Sequence, residues 1–253
     1  MESDSSHSHP PAADASTAWW ELPGLSISPK QVEQLQMLAQ VFREWNERLN
    51  LVSRKDMESF EAHHLKHALL MARLLPWREM PGVRVLDVGT GGGLPGLPLA
   101  ILFPQTQFFL CDSITKKTVA VADMVQKLGL KNVEVVNKRA ETLESKWNYI
   151  IGRAVTALPQ FLGWISKNLR AGGPAEFPHG VLYLKGTLYE EELASLELTP
   201  FRVHHLVDGD EDPYFADKFL VHLQADVLLA HPALQPPPPE PKKKVGKKKK
   251  KRR

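Results

Sequence analysis

One feature constrains this chain more than any other: a short apolar run that ends in a cluster of glycines. Val83-Arg84-Val85-Leu86-Asp87-Val88 reads as a strand. It leads directly into Gly89-Thr90-Gly91-Gly92-Gly93-Leu94-Pro95-Gly96. Five glycines in eight residues exceed what a simple turn requires. Glycine accepts positive φ and lets a ligand come close to the backbone. A strand that turns through glycines into a helix, here at 97–102, opens an α/β sheet with its ligand at the carboxyl end of the first strand.

The pattern downstream agrees. Further strands are expected at 107–112, 133–136, 149–152, 180–185 and 218–223. Helices are expected at 116–128 and 158–169, each stopped by glycine. Strands alternating with helices at this spacing predict a parallel, doubly wound sheet. Upstream, Ser28, Pro29 and Gln31 form a helix start. Val32, Leu35, Leu38, Phe42, Trp45 and Leu49 then recur at helical spacing. A second helical stretch is expected at 56–75, with Phe60, His64, His67, Met71 and Leu74 on one face, ended by Pro76 and Pro81-Gly82. The organisation read from these signals is a disordered segment at 1–24, a helical module at 25–80, a catalytic domain at 81–225, and a proline-rich spacer with a basic tail at 226–253.

The glycine pattern alone leaves the ligand open, since Gly91-x-Gly93-x-x-Gly96 also fits a dinucleotide fingerprint. Asp87 shifts the balance toward S-adenosylmethionine. A carboxylate just before the turn suits the cationic amino-acid end of that cofactor and repels a pyrophosphate. The turn carries no Lys or Arg to meet phosphate. Asp112 ends the second strand, 21 residues after Gly91. An acid there accepts hydrogen bonds from ribose hydroxyls, or else caps the following helix. The loop Lys138-Arg139-Ala140-Glu141 lies where an adenine ring would be, and Arg153 follows the fourth strand facing the cleft. His7 and His9, or His64 and His67, make poor metal pairs because neither has a third ligand nearby, so no metal is expected.

Charge is unevenly distributed. Residues 242–253 hold ten of the 32 basic residues and no acid, which leaves 22 basic against 29 acidic residues, a net of −7, for 1–241. Such a tail is a polycation with affinity for polyanions, or simply a solubilising extension. One cysteine suits a reducing compartment. No secretory signal or membrane-spanning run is visible, so a cytoplasmic protein with no membrane attachment is expected.

Several motifs together resemble one family, the small-subunit ribosomal RNA methyltransferase G family, also called glucose-inhibited division protein B. They are Trp45-Asn46-Glu47-Arg48-Leu49-Asn50-Leu51-Val52-Ser53, then His64, then Asp87-Val88-Gly89 through Leu99-Ala100. Asp112-Ser113-Ile114-Thr115-Lys116-Lys117, Arg139-Ala140-Glu141, Arg153-Ala154 and Leu184-Lys185-Gly186 continue the likeness. The second helix departs from it, with His63-His64-Leu65-Lys66-His67-Ala68 where the family often has Arg-His-x-x-Asp-Ser.

The resemblance implies a Rossmann-like class I S-adenosylmethionine-dependent methyltransferase sheet with an N-terminal helical extension. It implies N7-methylation of one guanine in 16S ribosomal RNA, on the RNA or on the small ribosomal subunit; a monomer is the simple expectation. Cofactor binding is expected from Asp87, Gly89, Thr90, Gly91, Gly93, Leu94, Asp112, Ala140, Glu141 and Arg153. Arg153 would also orient the guanine or the cofactor, and no general base is needed. RNA contacts are expected from Arg43, Arg48, Asn50, Arg54, Lys55, His64, Lys116 and Lys117. Two other readings stay open: an NAD-dependent oxidoreductase, and a non-catalytic RNA-binding or ribosome-binding protein on the same fold.

Overall fold

A computed structural model describes residues 19–207 and 212–235. His7, His9, the proline run at 236–239 and the tail at 242–253 lie outside the described residues.

Helix α1, Pro29–Leu49, starts as its sequence demands. The Ser28 side chain accepts from the Gln31 amide and the Gln31 side chain returns to the Ser28 amide, a complete capping box. It ends at Asn50, whose left-handed backbone (φ 46°) sends its amide back to the Asn46 carbonyl. The expected second helix is broken. Helix α2, Arg54–Glu58, stops at Ser59. A π-helical turn, Phe60–Leu65, then runs into α3, Lys66–Ala72. The wider turn rotates α3 about its axis, and His67 through Ala72 are all buried. A single helical face therefore does not describe this stretch.

The sheet strands are β1 Arg84–Val88, β2 Gln107–Cys111, β3 Val133–Val136, β4 Tyr149–Arg153, β5 Gly180–Lys185, β6 Arg202–His205 and β7 Phe219–Gln224. The linking helices are α4 Gly96–Leu102, α5 Thr115–Lys127, α6 Leu158–Ile165, α7 Tyr189–Ala194 and α8 Ala225–Ala230. Spatial order is β3-β2-β1-β4-β5-β7-β6. The sheet is mixed rather than parallel, because β7 pairs antiparallel with both β5 and β6. Strand order reverses between β1 and β4, so their carboxyl ends open onto a crevice.

Alternation along the strands divides the interior in two. Val85, Tyr149, Ile151, Leu182 and Leu184 face one core, shared with Leu35, Leu38, Phe42, Leu69 and Leu70 of the N-terminal helices. Leu86, Val88, Ile150, Val181 and Tyr183 face the other, with Phe161, Leu162 and Leu228. The N-terminal helices are thus one layer of the sheet's own core. Packing contacts are also made by residues 19–22, within the segment whose composition reads as disordered. Leu22 is buried in the first core and Trp19 meets Trp20 edge to face.

Candidate functional site

The glycine-rich loop is held from beneath. Asp87 is fully buried, and its Oδ2 accepts from the Thr90 hydroxyl (2.7 Å) and from the Gly96 amide (3.0 Å). The carboxylate thereby ties the end of β1 to the start of α4. Gly96 must be glycine for this, since a Cβ there would lie 2.6 Å from Asp87 Oδ2 and 2.3 Å from Leu110 Cδ2. Gly91 meets a different demand. Its φ of 59° turns its amide onto Asp112 Oδ2 at 3.0 Å. Asp87 therefore does not face the cleft as expected. It organises the loop from beneath. Gly93 is also a packing position, with Leu97 filling the space beside it.

Burial pushes the Asp87 carboxyl up to about 7, against the smaller opposing effect of its Thr90 and Gly96 hydrogen bonds. The unfolded carboxyl titrates near ~3.9. Between these values the folded chain holds a proton that the unfolded chain has released, so stability falls as pH rises through this window. Asp87→Asn keeps an acceptor for Thr90 and Gly96 and puts its amide at Oδ1, which has no partner among the described residues. The variant should gain stability relative to the parent as pH goes from 5 to 8. Urea unfolding curves that shift in parallel for both proteins would contradict this.

Two connected cavities flank the loop, sharing Gly89, Lys117 and Ala154. The first, about 340 Å³, is lined by Asp112, Ile114, Ala140, Glu141 and Trp164 among others. Asp112 does not cap α5, whose N-cap is Ile114 with no side-chain cap; it braces the loop from the cavity edge instead. Its Oδ1 accepts from the Ile114 amide (2.8 Å) and its Oδ2 from the Gly91 amide (3.0 Å), and a carboxylate with two acceptor oxygens has capacity for further donors. Ile114, Ala140 and Trp164 add apolar surface suited to a flat heterocycle. The set fits a nucleoside.

The second cavity, about 400 Å³, is lined by Thr90, Leu94, His64, His67, Arg153, Lys185, Tyr214 and Lys218 among others. Arg153 ends β4, is partly buried, and its guanidinium makes no hydrogen bond or ion pair among the described residues. Burial lowers its pKa, while Tyr214, Asp87 and Asp56 act in the opposite direction. A guanidinium stays charged under such a shift. Lys185 pairs with Glu192 at 2.8 Å, and Glu192 also accepts from the Leu158 amide, which links β5 to the start of α6.

His64 and His67 form part of the cavity wall. Burial, then the nearby Arg153 charge, pushes His64 down to about 4 and holds His67 well below its ordinary value. Both are neutral at physiological pH, and none of their ring nitrogens has a partner among the described residues. His64 is thus a neutral part of the pocket wall.

The other expected RNA contacts are scattered. Arg43 is spent in a two-pronged ion pair with Glu61. Arg48 lies over the Trp45 ring at 5.4 Å. Asn50 and Arg54 border a separate recess with Arg43 and Glu47, and Lys55 is exposed beside it. Lys116 is exposed at the start of α5, whereas Lys117 lines both cavities. Sequence reasoning did not single out Tyr214 or Lys218. Both arrive from the segment before β7, and no local motif marks them.

The cleft and sheet have counterparts among known proteins. Residues 31–206 match the family described as rRNA small subunit methyltransferase G. The Flavobacterium johnsoniae ribosomal RNA small subunit methyltransferase G is 41% identical over 198 residues, covering 78% of this chain and 93% of that protein. Its Cytophaga hutchinsonii counterpart is 39% identical over 199 residues, covering 79% and 95%. Among solved structures, the Synechocystis magnesium protoporphyrin IX methyltransferase with bound S-adenosylmethionine superposes with a TM-score of 0.52 at 11% identity, over 78% of this chain and 96% of that one. At that identity the likeness concerns the fold, a class I methyltransferase sheet. Sequence match, strand order and loop together lead to one assignment: the chain belongs to the rRNA small subunit methyltransferase G family.

Proposed function

We infer that this protein transfers the methyl group of S-adenosylmethionine to N7 of a guanine in 16S ribosomal RNA. The observation that carries this reading is the paired cavity in a member of this family. One half fits a nucleoside. The other is lined by Lys117, Arg153, Lys185 and Lys218 with no acidic residue, as a polyanion requires. When bound, the cofactor supplies an electrophilic methyl group on a sulfonium. Gly89, Gly91, Leu94, Asp112, Ala140, Glu141 and Arg153 would hold it.

Guanine N7 offers an in-plane lone pair and has no proton to lose, so the chain need not supply a general base. Its work is placement, holding the base edge in line and at near-attack distance. Arg153 provides a positive charge in the second cavity, next to Ala154, which lines both. The neutral His64 and His67 close the wall without adding charge. We read the enzyme as a cytoplasmic monomer acting on the RNA or the small ribosomal subunit. No helix among the described residues is long and apolar enough to cross a membrane.

Incubation with labelled cofactor and small-subunit RNA, followed by cleavage at N7-methylguanosine, tests the reading. A single modified guanine is the expected result. No transfer, together with tight binding of NAD and none of S-adenosylhomocysteine in calorimetry, would favour the oxidoreductase alternative. The basic tail should contribute separately. Deleting residues 242–253, with their ten basic side chains, should weaken RNA binding mostly at low salt and flatten the plot of log affinity against log salt. The methylated position should not change. An unaltered salt slope would assign the tail no part in RNA binding.

A further inference from the structure

Tyr214 lies in a short 3-10 turn, Pro213–Phe215, ahead of β7. The turn is well anchored. Phe215 is buried, Asp212 Oδ1 accepts from the Tyr214 amide at 2.9 Å, and His205 Nε2 lies 3.1 Å from the Phe215 carbonyl and 2.9 Å from that of Ala216. The Tyr214 ring itself is clamped. His63 lies parallel to it at 3.9 Å, and the Lys218 ammonium sits 4.9 Å from its centroid. His67, 4% exposed, meets it edge-on at 6.4 Å.

These contacts occupy the ring and obstruct a base from stacking on it. The hydroxyl is different. It has no hydrogen-bond partner among the described residues, and Tyr214 lines the same cavity as Arg153 and the two neutral histidines. A polar group held rigidly and left unpaired at a cavity wall is a preorganised donor.

The base chemistry states what such a donor meets. Guanine presents N7 and O6 side by side, both acceptors. If N7 receives the methyl group, O6 lies on the adjoining wall and needs a donor. Resting on the methyl-transfer function inferred above, we propose that the Tyr214 hydroxyl donates to O6 of the acceptor guanine and sets the angle at which N7 faces the cofactor. Tyr214 acts through the substrate, and His63, His67 and Lys218 act by fixing its ring.

The test compares the parent with Tyr214→Phe on RNA carrying either guanine or 2-aminopurine at the modified position. 2-Aminopurine keeps N7 and lacks O6. On guanine, Tyr214→Phe should lower kcat/KM by about 10- to 100-fold, in the range of losing one hydrogen bond made to a reacting base. Affinity for S-adenosylhomocysteine and the unfolding midpoint should be unchanged, because the ring remains. On 2-aminopurine the two enzymes should agree within about threefold, since the partner oxygen is gone; intrinsic differences between the bases cancel in this double comparison. An equal loss on both bases, or near-parental activity of Tyr214→Phe on guanine, overturns the proposal. A parent enzyme that methylates no guanine N7 would instead defeat the underlying function, and the two failures are distinct.

Discussion

Arg153→Ala is expected to lower kcat/KM for RNA methylation by about 10²- to 10³-fold, the range seen when one preorganised charge is removed from a reaction site. The protein should stay folded. Arg153 is partly buried at the end of β4 and has no ion-pair partner among the described residues, so its charge carries a desolvation cost in the folded state. Truncation removes that cost and some packing of the aliphatic stem, two effects of opposite sign. The unfolding midpoint should therefore move little. Arg153→Lys should recover only part of the rate, because an ammonium lacks the planar fork. Near-parental turnover in the alanine variant would remove Arg153 from the site. A large fall in midpoint with proportionate loss of rate would make it a structural residue.

The second large effect is expected at Gly96, which lines neither cavity of the cleft. A methyl group there would meet Leu110 Cδ2 at 2.3 Å and Asp87 Oδ2 at 2.6 Å. Neither neighbour has room to yield, since both are fully buried. Gly96→Ala must push the start of α4 away from β1, breaking the bond from the Gly96 amide to Asp87. Overpacking of this kind costs about 1–3 kcal/mol. Leu94, two residues earlier, lines the second cavity, so the displacement reaches the cleft directly. Calorimetry with S-adenosylhomocysteine should show affinity reduced at least about tenfold. A variant that binds normally while unfolding earlier would confine Gly96 to stability.

Much of the site follows from position in a repeating pattern. Gly89, Asp112, Ala140, Glu141 and Arg153 stand at or just beyond the carboxyl ends of four strands, and the structure brings them around one cleft. Strand ends are legible because apolar runs are bounded by glycine and polar residues. Asp87 shows the limit of that reasoning. Its place at the end of β1 is visible in the sequence, but which way its side chain points depends on sheet alternation and on the depth of α4. It turns inward, under the loop. Likewise, the periodicity at 56–75 signals a helix but not the π turn at Phe60–Leu65, which sets the aspect that His64 and His67 present.

Taken alone, the sequence determined the α/β class, the ligand-bearing loop and, through its motifs, the family. These rest on local rules: chain geometry demands glycine at the turn, and burial demands apolar strands. Only the tertiary structure decided that β7 runs antiparallel between β5 and β6, and that the N-terminal helices complete the sheet's core. It alone brought Tyr214 and Lys218 into the cavity that Arg153 lines. The physical reason is shared. β7 inserts between β5 and β6, so β5 finds its sheet neighbour beyond α7 and β6 in the chain, and β6, Arg202–His205, is left as a short, polar edge strand. The direction of a strand and the contents of a cavity are properties of non-local packing, which no window of neighbouring residues encodes.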